Sequence, residues 1–173
     1  NTSSGNSFFG SSAGRINTGN DNTFIGNSSG VNNTSDMNTF IGFGSGNSNT
    51  SGRNNVFLGG NAGLLNVTGS NLTFLGYESG FNNINGSNNT FGGSLSGRAN
   101  TVGNDLTFWG FESGLSNTSG INNTFNGSTA GRTNTTGNDN SFFGFEAGFT
   151  NNRGNENVFC GAGAGFSNVD GSH

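Results

Sequence analysis

The chain contains no proline and no lysine, and it has only one cysteine and one histidine. A single cysteine, Cys160, cannot form an intrachain disulfide, and no Cys/His cluster has the spacing of metal ligands. Five arginines cannot provide the basic surface that nucleic-acid binding requires. No apolar run approaches the roughly 20 residues of a transmembrane helix. The sequence therefore predicts no metal, no cofactor, no nucleic-acid partner and no membrane insertion.

The composition is also poor in hydrophobic and charged residues, at 28% and 8% of the 173 residues. Low hydrophobicity with abundant Gly, Asn, Ser and Thr is typical of disordered chains. The net charge, however, is only −4, and the aromatic residues recur at a fixed spacing, which a disordered chain has no reason to keep. We therefore expect an ordered structure.

Ten phenylalanines recur every 16 or 17 residues and define ten repeats. They are Phe8, Phe24, Phe40, Phe57, Phe74, Phe91, Phe108, Phe125, Phe142 and Phe159. Counted from this phenylalanine, positions +2 and +6 are always Gly, position +5 is always Ala or Ser, and position +9 is always Asn. The +9 residues are Asn17, Asn33, Asn49, Asn66, Asn83, Asn100, Asn117, Asn134, Asn151 and Asn168. Short repeats of this kind predict a stacked array in which each unit contacts its neighbours.

Each repeat places a short β-branched and aromatic segment, such as Asn22-Thr23-Phe24-Ile25, between glycines. Such segments are typical of strands, and the glycines that recur in every repeat exclude a helix. The sequence therefore predicts an all-β parallel solenoid, a β-roll or β-helix of ten 16–17-residue repeats. Residues 1–173 form a single array of Phe-centred coils, and we expect it to be uncapped at both ends, either as a fragment of a longer fibre or as a filament-forming unit.

A second period of 34 residues overlies the first. Position +3 is large in alternate repeats (Phe43, Tyr77, Phe111, Phe145) and small between them, and Glu78, Glu112 and Glu146 alternate with Arg98 and Arg132. We favour one repeat per coil, with large side chains above small ones and ion pairs between coils. The alternative is one coil built from two facing repeats.

Two columns of side chains are expected inside the solenoid. The Phe ladder forms the core, and the +9 asparagines form either a ladder of side-chain amides or a series of turn residues with left-handed φ.

Position +1 is expected to point outward, because side chains alternate along a strand. Its apolar members predict a stripe where other chains pack: Ile25, Ile41, Leu58, Leu75, Trp109 and Phe143. Gly92 and Asn126, on either side of Trp109, suggest that this stripe interdigitates with a partner. The alternative is that the backbone bends at the +2 glycine and both residues lie inside.

The segments Gly19–Gly26 (GNDNTFIG) and Gly137–Gly148 (GNDNSFFGFEAG) resemble the "GNNNTFIGxxAG" repeats of bacterial and phage tail-fibre-like surface proteins. They are more distantly similar to the head repeats of trimeric autotransporter adhesins, from which they depart in their longer period and Phe core. The resemblance covers the whole chain. It implies an extracellular β-solenoid fibre, often trimeric, in which the repeats form a shaft or head.

These observations predict a non-enzymatic, extracellular structural or adhesive fibre on a cell or virion surface, with the chain itself as partner in a homotrimer or filament. Ice binding is one alternative, because Thr or Ser precedes Phe in eight repeats, but Val56 and Val158 interrupt that column. A carbohydrate-binding rod that recognises host-surface glycans is another, with Tyr77, Phe111 and Phe145 as stacking platforms. An enzyme is not expected, since the only histidine is the terminal His173.

Several asparagines lie in Asn-x-Ser/Thr sequons. The candidate glycosylation sites at exposed corners are Asn32, Asn85 and Asn122, and none is expected among the +9 asparagines.

Overall fold

The computed structural model describes residues 3–172, which form ten strands of three residues each and no helix. The strands are β1 (Ser7–Phe9), β2 (Thr23–Ile25), β3 (Thr39–Ile41), β4 (Val56–Leu58), β5 (Thr73–Leu75), β6 (Thr90–Gly92), β7 (Thr107–Trp109), β8 (Thr124–Asn126), β9 (Ser141–Phe143) and β10 (Val158–Cys160). They pair in chain order into one parallel sheet. The predicted all-β parallel solenoid is confirmed.

Each strand pairs with the next so that its phenylalanine lies beside the phenylalanine of the following repeat, as Phe74 lies beside Phe91. One repeat therefore makes one coil, and the alternative of two repeats per coil is wrong. We number the coils 1 to 10 after their strands. Nine intervals at the usual parallel-strand spacing of about 4.8 Å make a rod of about 43 Å.

The invariant glycines lie where the coil turns. Those at +2 have φ between +124° and +149°, and those at +6 have φ between +57° and +64°. A Cβ at Gly59 would stand 2.4 Å from the carbonyl oxygen of Gly76, one coil further on. The glycines at +12, such as Gly69, have no positive φ but meet the next coil just as closely. The invariant glycines are thus required by positive φ, by the close approach of the next coil, or by both.

Left-handed backbone also occurs outside glycine, in two columns that the sequence pattern did not single out. All the non-glycine residues with positive φ in the described chain lie either at +4, such as Leu95 and Thr129, or three residues before the phenylalanine, such as Met37. The +9 asparagines are not among them. The interpretation of those asparagines as left-handed turn residues is therefore wrong.

The phenylalanine ladder is the core of the solenoid. Successive rings stack with their centroids 4.7 to 5.0 Å apart and their planes within 17°. The rings from Phe24 to Phe142 are fully buried, whereas Phe8 in coil 1 is 40% exposed because it has a neighbouring ring on one side only. Each interior phenylalanine thus fills its own coil and covers the next.

The +9 asparagines form a continuous ladder of side-chain amides beside this core. The Nδ2 of Asn100 donates to Oδ1 of Asn83 at 2.8 Å and to the carbonyl oxygen of Gly103 at 3.1 Å. The same pair of bonds recurs from Asn33 to Asn168, with amide–amide distances of 2.7 to 3.1 Å. Because each amide bonds both its own turn and the previous coil, no buried side-chain nitrogen or oxygen is left unpaired along the described part of this column.

Candidate interaction surface

Residues 3–172 enclose no pocket, hold no group of three or more His, Cys, Asp and Glu side chains that could bind a metal ion, and contain no helix able to cross a membrane. His173 lies outside the described residues. The features that can contact a partner are therefore sought on the outer surface of the rod.

The +1 side chains point outward, as alternation along the strand requires. Leu58, Trp109 and Phe143 are 42 to 49% exposed, although the phenylalanine before each of them is fully buried. Ile25 is exposed, and Ile41 and Leu75 are half-buried. The alternative that both residues lie inside is wrong. We call these six residues, Ile25, Ile41, Leu58, Leu75, Trp109 and Phe143, the apolar stripe.

Gly92, the +1 residue of coil 6, is explained by packing within the chain. A Cβ at Gly92 would stand 2.4 Å from the indole ring of Trp109, so the indole lies over Gly92. The suggestion that Gly92 provides space for a partner chain is wrong, because the next coil already fills that space. Asn126, which is exposed beside Trp109, has no such explanation in the structure.

A second exposed apolar column follows the +2 glycines. Phe43, Tyr77, Phe111 and Phe145 are 51 to 63% exposed. A Cβ at Gly60 would make ordinary contact with the Tyr77 ring at 3.6 Å, so this large side chain lies next to the small residue of the previous coil and leaves room beside it, unlike Trp109 over Gly92. This is the packing expected of one repeat per coil. We call these four residues the aromatic column.

Two ion pairs flank the aromatic column. The Nε of Arg98 donates to Oε2 of Glu78, and the Nε of Arg132 donates to Oε2 of Glu112, each at 2.6 Å. Each arginine also stands over a phenylalanine of an adjacent coil, Arg98 over Phe81 at 5.3 Å and Arg132 over Phe149 at 5.6 Å. The predicted alternation of acid and base along successive coils therefore produces contacts between coils.

The hydrogen bond from Arg98 lowers the pKa of the Glu78 carboxyl, and a hydrogen bond from the Tyr77 hydroxyl lowers it further. The same carboxylate raises the pKa of Tyr77, first by accepting its hydrogen bond and then by its negative charge. At neutral pH the Glu78 carboxyl is therefore ionised and the Tyr77 hydroxyl is neutral, both at the surface beside the aromatic column.

Two polar columns were not found by sequence reasoning. The residue two before the phenylalanine is Asn in eight repeats and Leu at positions 72 and 106. Asn55 bridges to the next coil: its Oδ1 accepts the backbone N–H of Leu72 at 3.0 Å, and its Nδ2 donates to the carbonyl oxygen of Gly69 at 2.9 Å. The eight asparagines were a visible signal, which the two leucines obscured.

The other missed column is an exposed ladder three residues before the phenylalanine. Here the amide donates toward the C-terminus: Asn54 donates to Asn71, Asn71 to Asn88, and Asn88 to the carboxylate of Asp105, at 3.0 to 3.2 Å. The +9 ladder donates in the opposite direction, toward the N-terminus. Variable residues such as Met37 and Glu156 hide this column in the sequence.

The candidate glycosylation sites differ in their surroundings. Asn85 and Asn122 are exposed and Asn32 is half-buried. The amide of Asn32 donates to the carbonyl oxygen of Asn47, and that of Asn122 donates to Asp139. Glycosylation at all three sites stays a prediction.

No family model, no curated protein and no solved structure matches this chain. Function must therefore be argued from the surface of the solenoid.

Proposed function

We propose that this chain is a non-enzymatic, extracellular structural or adhesive fibre module, a rigid β-solenoid shaft that associates with other chains. The observation that carries this proposal is the apolar stripe, which keeps Ile, Leu, Trp and Phe side chains on the outer face of six of the ten strands. A long exposed apolar patch is typical of an interaction site. The extracellular location and the trimeric or filamentous form rest on the resemblance to surface-fibre repeats.

The rigidity of the shaft is supported by contacts that repeat in every coil. The stacked rings, the +9 amides and the parallel strand pairs all join neighbouring coils. In such an array the stability is approximately a sum of coil and nearest-neighbour terms, so extra coils lengthen the rod without requiring a larger core. This is the behaviour that a shaft needs.

The test is the mass of the chain in solution, by light scattering at micromolar concentration, together with electron microscopy. The matched variants replace exposed apolar residues by Thr, which keeps strand propensity. Leu58→Thr/Trp109→Thr alters the stripe, and Ile84→Thr/Val102→Thr alters exposed apolar residues on another face. We expect oligomers or fibres from the wild type and the control, and smaller species from the stripe variant.

A monomeric wild type with no fibres would overturn the proposal. Thermal hysteresis of that monomer would point to ice binding through the outward Thr column, of which Thr107 is an exposed member. Retention on immobilised glycans would point to the carbohydrate-binding alternative.

A further inference from the structure

The aromatic column alternates strictly with small residues. Its large members lie in coils 3, 5, 7 and 9, and coils 4, 6, 8 and 10 carry Gly60, Ser94, Ser128 and Ala162 at the same position. Successive large side chains are therefore two strand spacings apart, about 9.6 Å. A ring placed midway between two of them would lie about 4.8 Å from each, within the usual range for stacked aromatic pairs.

The charges beside this column alternate with the same period. Coils 5 and 7 carry Glu78 and Glu112, and coils 6 and 8 carry Arg98 and Arg132. The arginine side chains are 41% and 35% exposed and the glutamate side chains that they pair with are 14% and 17% exposed, so the outer edge of each ion pair is open to a second chain. Shape and charge thus both change between odd and even coils.

We propose that the aromatic column binds a second copy of this chain, antiparallel and related by a two-fold axis between coils 6 and 7. Coil 6 then faces coil 7 of the other copy, and coil 5 faces coil 8. In this register every large residue of the column meets a small one: Phe43 with Ala162, Tyr77 with Ser128, Phe111 with Ser94 and Phe145 with Gly60.

The same register is complementary in charge. Glu78 of coil 5 faces Arg132 of coil 8 in the other copy, and Arg98 of coil 6 faces Glu112 of coil 7. The two copies of each ion pair therefore make a cluster of charges that alternate in sign around the two-fold axis. Charge complementarity of this kind fixes register more than it adds affinity.

A parallel pair in register is disfavoured by the same features. Its two-fold axis would run along the rods, so each coil would face its own copy. Aromatic residues would then meet aromatic residues, and each glutamate would face a glutamate. The antiparallel pair is also closed, because both copies use the same surface and leave none of the four aromatic residues unmatched.

This inference rests on the proposed association with other chains and specifies the partner and the register, but the contact uses the aromatic column and not the apolar stripe.

The test places large side chains at two of the small positions of the column. Ser94→Phe/Ser128→Phe should leave the solenoid intact, because aromatic residues in adjacent coils can stack, as Phe149 and Phe166 do at 5.1 Å. It should weaken dimerisation at least tenfold in sedimentation analysis, whereas the control Ser119→Phe, on another exposed position, should not.

Orientation is tested by mixed disulfides in a Cys160→Ser background. Chains with Asn61→Cys in coil 4 are mixed with chains carrying Glu146→Cys in coil 9 or Glu78→Cys in coil 5. The antiparallel register predicts cross-linking with position 146. Cross-linking with position 78 instead would indicate a staggered parallel pair and overturn the proposal.

The outcomes separate this inference from the proposed function. If the Ser→Phe variant still dimerises while the stripe variant does not, the aromatic column is not the contact, and the fibre proposal stands. If the wild type is monomeric, both fail. Retention of that monomer on an insoluble glucan, lost in Tyr77→Ser/Phe111→Ser, would assign the column to sugar binding.

Discussion

Among single residues, adjacent glycines in coil 4 differ sharply in what they tolerate. Gly59 has φ of +143° and no room for a Cβ, whereas a Cβ at Gly60 would make ordinary contact with the Tyr77 ring at 3.6 Å. We expect Gly59→Ala to lower the free energy of unfolding by about 2 kcal/mol or more, because the new methyl group meets backbone. Gly60→Ala should change it by less than about 0.5 kcal/mol. Urea denaturation measures both, and equal effects would contradict the close approach of the coils at +2.

The Glu78–Arg98 pair predicts a pH-dependent contribution to stability. The pKa of Glu78 is lower in the folded chain than its ordinary value, so its contribution is present above the unfolded-state pKa and is lost as pH falls through the folded-state pKa. Wild type should exceed Glu78→Gln in free energy of unfolding at neutral pH by at most about 1 kcal/mol, as is usual for a pair at the surface. The difference should vanish in acid. Denaturation curves from pH 7 to pH 3 test this, and in an Arg98→Gln background the pH dependence should be smaller.

The sequence predicted some residues better than others for a physical reason. The phenylalanines and +9 asparagines are invariant because each fills or bonds the coil beside it, so their roles could be predicted from spacing alone. The left-handed residues at +4 could not, because Leu95 and Thr129 have no intrinsic preference for that conformation, whereas Asn or Asp occupies seven of the nine non-glycine left-handed positions three residues before the phenylalanine. Their backbone N–H groups donate to the previous coil, that of Leu95 to the carbonyl oxygen of Tyr77 and that of Thr129 to the carbonyl oxygen of Phe111. These contacts between coils are not visible in the sequence.

The coil is the structural element of this fold, and each interior coil is stabilised by contacts with its two neighbouring coils. The Phe74 ring stacks between Phe57 and Phe91 at 4.9 and 4.8 Å. Phe74→Ala should therefore cost about 3 to 5 kcal/mol, the usual loss for a buried phenylalanine. Hydrogen exchange should show lost protection in coils 4 to 6 before the distant coils, because each coil contacts only its neighbours. Leu75→Ala, at a half-buried position, should have a smaller effect, and uniform loss across all coils would argue against a one-dimensional array.

At the scale of the coil, the existence and order of the strands were predictable from the sequence, but the packing of the outward side chains was less predictable. Alternation along the strand correctly placed Leu58 and Trp109 outside. It misassigned the role of Gly92, since the sequence does not indicate that the Trp109 indole leans over the previous coil. Side-chain direction between coils depends on packing that a one-dimensional pattern does not contain.

For the whole molecule, the repeat predicts which deletions the fold accepts. Removing residues 75–91 or 75–108 deletes one or two complete coils and joins Phe74 to the +1 residue of a later repeat. Both variants should fold, with rods shorter by about 4.8 and 9.6 Å in X-ray scattering. Removing residues 75–84 deletes an incomplete coil and should separate the two halves of the sheet, with loss of cooperative unfolding. A folded rod from this last variant would contradict the one-repeat coil.

The nearly constant coil length also determines how the molecule responds to tension. Each coil holds up to 17 residues, about 58 Å of extended chain, yet occupies only about 4.8 Å of the rod. A chain pulled by its ends should therefore unwind one coil at a time and release about 50 Å at each step. Because all interior coils share the same ring stack and amide bonds, the steps should require similar forces. A force–extension trace would then be a regular sawtooth, and the molecule would act as an extensible reserve that yields in equal increments.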